Sequence, residues 1–178
     1  MKFETAIFAN GCFWCTEAIF QKLKGVEKIV PGYIGGITEN PTYKEVCTGN
    51  TLHAEAIKLI YDADALSYRE LLGVFFSTHD PTSLNRQGED IGTQYRSEIF
   101  YLNEDQEKEA LAYIDLLTRE AVFDKPIVTK VTQASTFYEA ENYHWDYFTH
   151  NGDKAYCAAV IAPKLEKFRK QFKDHLKD

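Results

Sequence analysis

Two cysteines that flank two aromatic residues are the first candidates for chemistry in this sequence. They are Cys12 and Cys15 in the stretch GCFWCTE, and helical spacing of apolar residues begins at the first of them. A thiolate is the nucleophilic form of cysteine, and the unpaired amide N–H groups at a helix N-terminus favour negative charge there. We therefore expect Cys12 to be a reactive thiol with a lowered pKa; burial as a small apolar side chain is the alternative.

Strand-like and helix-like segments alternate along the chain and would position these thiols. Apolar periodicity and capping signals predict each segment in turn. We expect strands at 3–9, 26–34, 54–61, 96–102 and 126–133. We expect helices at 12–23, 68–78, 137–149 and 164–177, and a long helix that Asn103 caps and whose apolar stripe contains Ala110, Leu111, Ile114 and Leu117. The mixture predicts a single α+β domain spanning residues 1–178.

Composition and charge exclude several classes of protein. With 178 residues, 44% apolar and 26% charged, the chain fits one globular domain. Its formal charge of −7 argues against nucleic-acid binding, which depends on lysine and arginine replacing counterions. No apolar run approaches the roughly 18 residues of a membrane span, and the N-terminus does not resemble a signal peptide. A cytoplasmic protein with mostly reduced cysteines is the expectation.

Four loop-like stretches have no explanation in the apolar pattern. They are rich in glycine, proline and polar side chains, and long loops of this kind in a compact domain tend to be functional. Their sequences are GYIGG (32–36), NPTYKEVCTG (40–49), HAE (53–55) and DPTSLNRQGEDIGTQYRS (80–97).

Together with GCFWCTE before them and with FYEAENYHWDYF, AYC and APKLEKFRK after them, these stretches resemble the peptide methionine sulfoxide reductase A family. The motifs occur in the family's order over nearly the whole chain. The resemblance implies a two-layer α/β sandwich around a mixed sheet with a ferredoxin-like core. It also implies reduction of methionine S-sulfoxide, free or in oxidised proteins, with thioredoxin as reductant. No cofactor, metal, nucleic acid or membrane is expected, and the protein is expected to be a monomer.

The same resemblance assigns roles to five residues. Cys12 matches the nucleophile that attacks the sulfoxide sulfur and becomes a sulfenic acid, and Glu55 matches the acid that protonates the sulfoxide oxygen. Burial beside aromatic rings would raise the pKa of Glu55 and keep it protonated. Tyr43 and Tyr95 match the tyrosines that hold the oxygen. Asp90 matches an acidic residue of the same pocket, but the resemblance does not indicate which function it has there.

The two aromatic residues between the cysteines match the family's substrate slot. Methionine sulfoxide presents an S-methyl group beside a polar S=O group, so its recognition needs an apolar slot next to hydrogen-bond donors. Phe13 and Trp14 would supply that slot and help to set the preference for the S epimer. Ordinary core packing is the alternative reading of such a pair.

Two thiols compete to resolve the sulfenic acid, which condenses with a second thiol to form a disulfide. Cys157 matches the family's recycling cysteine and is favoured, since the polar stretch HNGDK before it could let it swing toward Cys12. Cys15, in the C-x-x-C spacing of disulfide oxidoreductases, is the alternative resolver or a relay. Cys47 has no transferable role, and we expect it to be buried.

Three departures from the family pattern leave the proposed catalytic groups intact. Leu52 stands where glycine is usual, Glu89 replaces asparagine, and Trp145 replaces glutamine, where it would line the peptide site or fill the core.

Rival functions must also explain the motifs. A thioredoxin-like disulfide oxidoreductase using Cys12-Phe13-Trp14-Cys15 would leave GYIGG, HAE and GTQYRS without a role. A zinc module would need a second pair of ligands beside Cys12 and Cys15, and neither the other cysteines nor the histidines supply one. A nonenzymatic interaction domain predicts no sulfoxide turnover.

Overall fold

The protein, described here from a computed structural model over residues 1–177, is built on a six-stranded mixed sheet. Strands β1 to β8 span Phe3–Asn10, Val26–Ile34, Ala54–Asp62, Arg86–Gln87, Asp90–Ile91, Ser97–Tyr101, Lys130–Gln133 and Tyr138–Glu139. Helices α1 to α6 span Phe13–Phe20, Tyr43–Cys47, Tyr68–Ser77, Glu104–Arg119, Tyr147–Asn151 and Ala162–Gln171. Short 3₁₀ turns cover Thr93–Tyr95, Asn142–His144 and Lys173–His175, and a π-helical turn covers Cys157–Ile161.

The sheet has the strand order β7-β6-β1-β3-β2-β8, and only the β6–β7 pair is parallel. Its central four strands, β6-β1-β3-β2, are connected as β1α1β2β3α3β6, which is the ferredoxin-like arrangement. The predicted α+β fold is confirmed. The last residue of the predicted domain, Asp178, lies outside the described residues.

One apolar core joins the sheet to the helical layer. Phe8 of β1 packs against Phe20 of α1 and Phe75 of α3, with ring centroids 5.7 and 5.3 Å apart. All three rings are fully buried, so each contributes on the order of 2–3 kcal/mol of hydrophobic stabilisation. Because α1 follows β1 after two residues, this packing also fixes the junction that carries Cys12.

Capping signals located the helices that follow them. Ser67 and Glu70 form the predicted reciprocal capping box at the start of α3, and Asn103 accepts a hydrogen bond from the Gln106 N–H at the start of α4. A second capping box, between Thr42 and Glu45, starts the short helix α2 inside a stretch that we expected to be a loop.

The helix predicted over 137–149 is wrong. Tyr138 and Glu139 form an edge strand antiparallel to Tyr33 and Gly32, and only the last part of the segment is α-helical. Glycine at position 32 makes the pairing possible, because a Cβ there would collide with the Phe137 ring and with the Tyr138 carbonyl oxygen.

Other predicted boundaries were too wide. Helix α1 ends at Phe20 rather than at residue 23, and α6 ends at Gln171 before a 3₁₀ turn. Strand β7 begins only at Lys130, in line with the inability of Pro126 to donate to a ladder. Leu111 is 52% exposed and does not belong to the buried stripe of α4. No helix among residues 1–177 is long and apolar enough to cross a membrane.

Candidate active site

Cys12 is the N-cap residue of α1, as the sequence predicts. Its carbonyl accepts hydrogen bonds from the N–H groups of Cys15 and Thr16, at 3.1 and 3.3 Å. Gly11 makes the turn from β1 possible: its φ is 111°, and a Cβ there would lie 2.9 Å from the Gln87 side chain. The junction therefore places a buried thiol at the start of a helix.

The predicted lowering of the Cys12 pKa is wrong for the substrate-free protein. Burial raises the pKa of the Cys12 thiol well above its usual value, and the neighbouring Cys15 and Glu55 raise it further. No side-chain capping hydrogen bond is made by Cys12, so the amides of α1 do not offset the loss of solvation. The pKa of Cys15 is instead lowered to about 7, first by the Cys12 thiol beside it and then by Lys164 and the Tyr156 hydroxyl, against the opposing effect of burial.

Glu55 lies on β3 directly beside the start of α1. Its Oε1 accepts a hydrogen bond from the Phe13 N–H at 3.1 Å, and its Oε2 is buried without a hydrogen-bond partner among the described residues. Burial raises the pKa of Glu55 to about 8, with smaller contributions from Asp90 and Cys15. The carboxyl is therefore protonated at neutral pH and has an unpaired oxygen, which is the arrangement that a general acid needs.

This raised pKa predicts a stability signature for Glu55→Gln. The unfolded chain releases the Glu55 proton near pH 4.5, whereas the folded protein holds it to about pH 8. Stability therefore falls as pH rises through this window, by about 1.4 kcal/mol per pH unit. Urea unfolding at pH 5, 6 and 7 should show that the free energy of unfolding of Glu55→Gln rises relative to that of the wild type by about this amount per pH unit. The exposed control Glu120→Gln should not show this rise. Parallel pH curves for wild type and Glu55→Gln would contradict the assignment.

Tyr43 is the first residue of α2, and Tyr95 is the last residue of a 3₁₀ turn. Burial raises the pKa of both hydroxyls, and the charge of Glu55 is the next largest cause in each case. Both hydroxyls therefore remain neutral donors. Glu141 anchors the start of α2, because its Oε2 accepts the Tyr43 N–H at 2.9 Å and its Oε1 accepts the Tyr33 hydroxyl at the same distance.

The two aromatic residues of CFWC occupy different environments. Phe13 is fully buried between Tyr43 and His144, whose ring centroids lie 6.4 and 5.0 Å away. Trp14 is partly exposed and stacks on Tyr147, with centroids 3.9 Å apart. Its indole N–H donates to His144 Nδ1 at 3.0 Å, which fixes the ring of Trp14.

The remaining thiols differ in their access to Cys12. Cys157 is fully buried and belongs to the same apolar cluster as Cys12 and Cys15, on the π-helical turn after Tyr156. Burial raises its pKa, and Cys15 is the next cause. Cys47 is exposed, so its predicted burial is wrong: on the short helix α2 it is Val46 that faces the core.

Asp90 lies in the small β4–β5 hairpin, where its Oδ2 accepts a hydrogen bond from the Tyr156 hydroxyl at 2.7 Å. Sequence reasoning did not single out Tyr156 or His144; their only signal was their place in the motifs AYC and YHW.

None of the three departures noted in the sequence belongs to the apolar cluster that contains Cys12, Cys15 and Cys157. Trp145 donates its indole N–H to the Ala140 carbonyl and lines a cavity with Glu17 and Arg169. Leu52 adopts a φ of 60°, in the left-handed region that favours glycine, and Glu89 is exposed between the hairpin strands.

A C-x-x-C thiol pair at a helix N-terminus beside a buried, protonated carboxyl defines a thiol-dependent oxidoreductase. No group of three or more His, Cys, Asp or Glu within residues 1–177 is arranged to hold a metal ion. The chain matches the family described as "Peptide methionine sulfoxide reductase" over residues 4–176 and belongs to that family.

Relatives and solved structures agree with this assignment. "Peptide methionine sulfoxide reductase MsrA" of Deinococcus radiodurans is 56% identical, over 98% of this chain and 84% of its own. The protein of the same name from Pasteurella multocida is 54% identical, over 96% and 97%. The crystal structure of reduced Mxr1 from Saccharomyces cerevisiae superimposes with a TM-score of 0.81 at 34% identity, covering 88% of this chain and 90% of that one. These findings favour a reductase over the disulfide oxidoreductase considered from CFWC alone.

Proposed function

We propose that this protein is a peptide-methionine (S)-S-oxide reductase in which Cys12 is the nucleophile and Glu55 the acid. The observation that carries the proposal is the buried, unpaired Oε2 of Glu55, whose carboxyl is held protonated beside the residue that follows Cys12. A sulfoxide oxygen is a poor leaving group until it is protonated, and this carboxyl can deliver the proton without first breaking a hydrogen bond at Oε2.

In the first step, Cys12 Sγ attacks the sulfoxide sulfur while Glu55 protonates the oxygen. Glu55 then recovers a proton from the Cys12 thiol, so the carboxyl is regenerated. The attack forms an S–S bond between Cys12 and the substrate, and the substrate S–O bond breaks. The released hydroxide then attacks Cys12 Sγ and the S–S bond breaks, so methionine leaves with its sulfur reduced and Cys12 is left oxidised as a sulfenic acid. The high pKa of the Cys12 thiol in the resting protein keeps that proton in place until substrate arrives.

Substrate recognition is divided between an apolar and a polar part. Phe13 and Trp14 receive the S-methyl group, and the neutral hydroxyls of Tyr43 and Tyr95 donate hydrogen bonds to the sulfoxide oxygen. His144 supports this slot by accepting the Trp14 indole N–H. The combination of this apolar slot with the hydroxyl donors is proposed to set the preference for the S epimer.

The position of Cys15 supports it as the first resolver, ahead of Cys157, which sequence reasoning favoured, because Cys15 lies in the first turn of α1 and its N–H donates to the Cys12 carbonyl at 3.1 Å. The Cys12 and Cys15 thiols each shift the pKa of the other, whereas Cys157 is held within a helical turn and has its own pKa raised by Cys15. Cys15 condenses with the sulfenic acid, and Cys157 then takes over the disulfide by exchange.

The proposed reductant is thioredoxin; the relative Mxr1 has also been solved in complex with Trx2, in a structure with a TM-score of 0.58 and 22% identity to this chain. Oxidised proteins and free methionine S-sulfoxide are the proposed substrates, so the role is protein repair under oxidative stress. The four cysteines are free thiols, which suits the reducing cytoplasm. The protein is proposed to act as a monomer.

Variants that lack one thiol test the proposed function and the order of the thiols. Cys15→Ser should release its first equivalent of methionine from methionine S-sulfoxide and then lose at least about 10-fold of thioredoxin-supported turnover, because Cys12 alone completes the first step. Cys157→Ser should lose turnover but still form the Cys12–Cys15 disulfide. The exposed Cys47→Ser is the control and should turn over normally. Equal activity on the R epimer, or no methionine from any variant, would contradict the proposed function.

A further inference from the structure

A hydrogen-bonded chain leads from the Cys15 thiol to a carboxylate. Cys15 Sγ lies 3.8 Å from the Tyr156 hydroxyl oxygen, and that hydroxyl lies 2.7 Å from Asp90 Oδ2. The Tyr156 hydroxyl is the donor in its hydrogen bond with Asp90. The Tyr156 oxygen can then accept a hydrogen bond from the Cys15 thiol, so both hydrogen bonds run in the same direction, from Cys15 toward Asp90.

We propose that Tyr156 and Asp90 form a proton relay that activates the Cys15 thiol for attack on the oxidised Cys12. Tyr156 is a catalytic residue of this second step, since it contacts the thiol that reacts, and Asp90 is a positioning residue that acts through Tyr156. The inference rests on the proposed function, in which Cys12 becomes a sulfenic acid and Cys15 resolves it. It gives Asp90 a duty that the family resemblance left open.

The step balances without an additional reactant. The Cys15 thiol proton passes to the Tyr156 oxygen as the Tyr156 proton passes to Asp90. The Cys15 sulfur attacks Cys12 Sγ, an S–S bond forms, and the S–O bond of the sulfenic acid breaks. The departing hydroxide takes up the proton that returns from Asp90 through Tyr156 and leaves as water. Cys15 is oxidised and Cys12 is reduced, each to the level of the disulfide.

The position of Tyr156 suits both halves of this step. Its hydroxyl lies 3.8 Å from Cys15 Sγ and also lowers the pKa of the Cys12 thiol, so it lies near both sulfur atoms of the step. Its ring meets the Trp14 ring edge-on, with centroids 5.8 Å apart. The π-helical turn that begins at Cys157 immediately follows Tyr156, and π turns are frequent at functional sites.

Four side chains shift the pKa of Cys15. Cys12 lies in the same turn of α1, and Lys164, Tyr156 and Asp90 come from other parts of the fold. Cys12, Lys164 and the Tyr156 hydroxyl lower its pKa, whereas Asp90 and burial raise it. This makes a relay distinguishable from a charge effect. If Asp90 acts only through its charge, its removal leaves Cys15 more acidic and the second step unchanged or faster. If Asp90 accepts the proton, its removal slows the step although the thiol has become more acidic.

The test follows the decay of the Cys12 sulfenic acid after one equivalent of methionine S-sulfoxide has been consumed. Quenched samples are treated with dimedone, which traps sulfenic acid, and the Cys12–Cys15 disulfide is quantified by peptide mass mapping. Tyr156→Phe should form the disulfide about 10²-fold more slowly than the wild type, the lower end of the range for general acid–base catalysis. Tyr113→Phe, which removes a hydroxyl from α4, should behave as the wild type. A Tyr156→Phe protein that forms the disulfide at the wild-type rate would overturn the relay.

Asp90→Asn supplies the second measurement, with the alkylation of Cys15 by iodoacetamide followed against pH in the reduced protein. We expect its alkylation midpoint to move below that of the wild type while disulfide formation slows. Unchanged or faster disulfide formation would overturn the relay. Cys15→Ser separates this from the proposed function: if its sulfenic acid still decays at the wild-type rate, the resolver assignment itself fails. If Cys15→Ser blocks decay but neither relay variant slows it, only the relay fails.

Discussion

Replacement of Cys12 by serine is expected to reduce methionine release from methionine S-sulfoxide by about 10⁴-fold or more. A serine hydroxyl is a far weaker nucleophile toward sulfur than a thiol that can lose its proton. In the proposed mechanism Cys15 does not take over, because the proposed proton donor Glu55 lies at the start of α1, where it accepts the Phe13 N–H. The measurement is the amount of methionine released in a single turnover, separated and quantified by chromatography.

The exposed cysteine of α2 supplies the matched control. Cys47→Ser makes the same substitution outside the thiol cluster and should release methionine at the wild-type rate. The lower pKa of Cys15 makes a reversal of roles the sharpest alternative. If Cys15→Ser loses the first equivalent of methionine and Cys12→Ser retains it, the nucleophile has been assigned to the wrong cysteine.

The second large effect is expected from Glu55→Gln. Glutamine keeps the size of the side chain and a donor, but it cannot transfer a proton, so the single-turnover rate should fall by about two to four orders of magnitude. The rate should also change its dependence on pH. In the wild type the acid form is lost as pH rises through about 8, which lowers the rate, and the variant should lack this decline.

If the rate of Glu55→Gln is within a few-fold of the wild-type rate, a group other than Glu55 delivers the proton. Tyr43, Tyr95 and water are then the next candidates. Glu120→Gln, at the exposed end of α4, controls for the change of charge. Taken with the stability measurement, the two results expected for Glu55→Gln are opposed: its free energy of unfolding rises relative to that of the wild type as pH rises, whereas its rate is much lower. A buried acid held in its protonated form accounts for both.

Local signals predicted most of the fold, because each depends on residues close together in the chain. The capping residue Ser67 located α3, Asn103 located α4, and the alternating run before Gly11 located β1. The edge strand at Tyr138 was missed because its pairing depends on Gly32, which is more than one hundred positions away. Periodicity carries no information about such a partner.

Some features of the site could likewise be predicted from the sequence, and others could not. The family resemblance pointed to Cys12, Glu55, Tyr43 and Tyr95, and the charge of Glu55 raises the pKa of the other three side chains. The raised pKa of Cys12 could not be predicted, since it depends on burial by segments distant in the sequence. The link between Asp90 and Tyr156 spans 66 positions and joins a hairpin to the C-terminal helical segment, so no motif contains both residues.

The central claim is that Cys12 itself receives the oxidation from the substrate. The most direct test uses the Cys15→Ser/Cys157→Ser double variant, in which no resolver remains, mixed with one equivalent of methionine S-sulfoxide and dimedone. Peptide mass mapping should show one equivalent of methionine released and one dimedone adduct on Cys12, with Cys47 unmodified. Release of methionine with Cys12 still a free thiol, or with the adduct on another residue, would contradict the account.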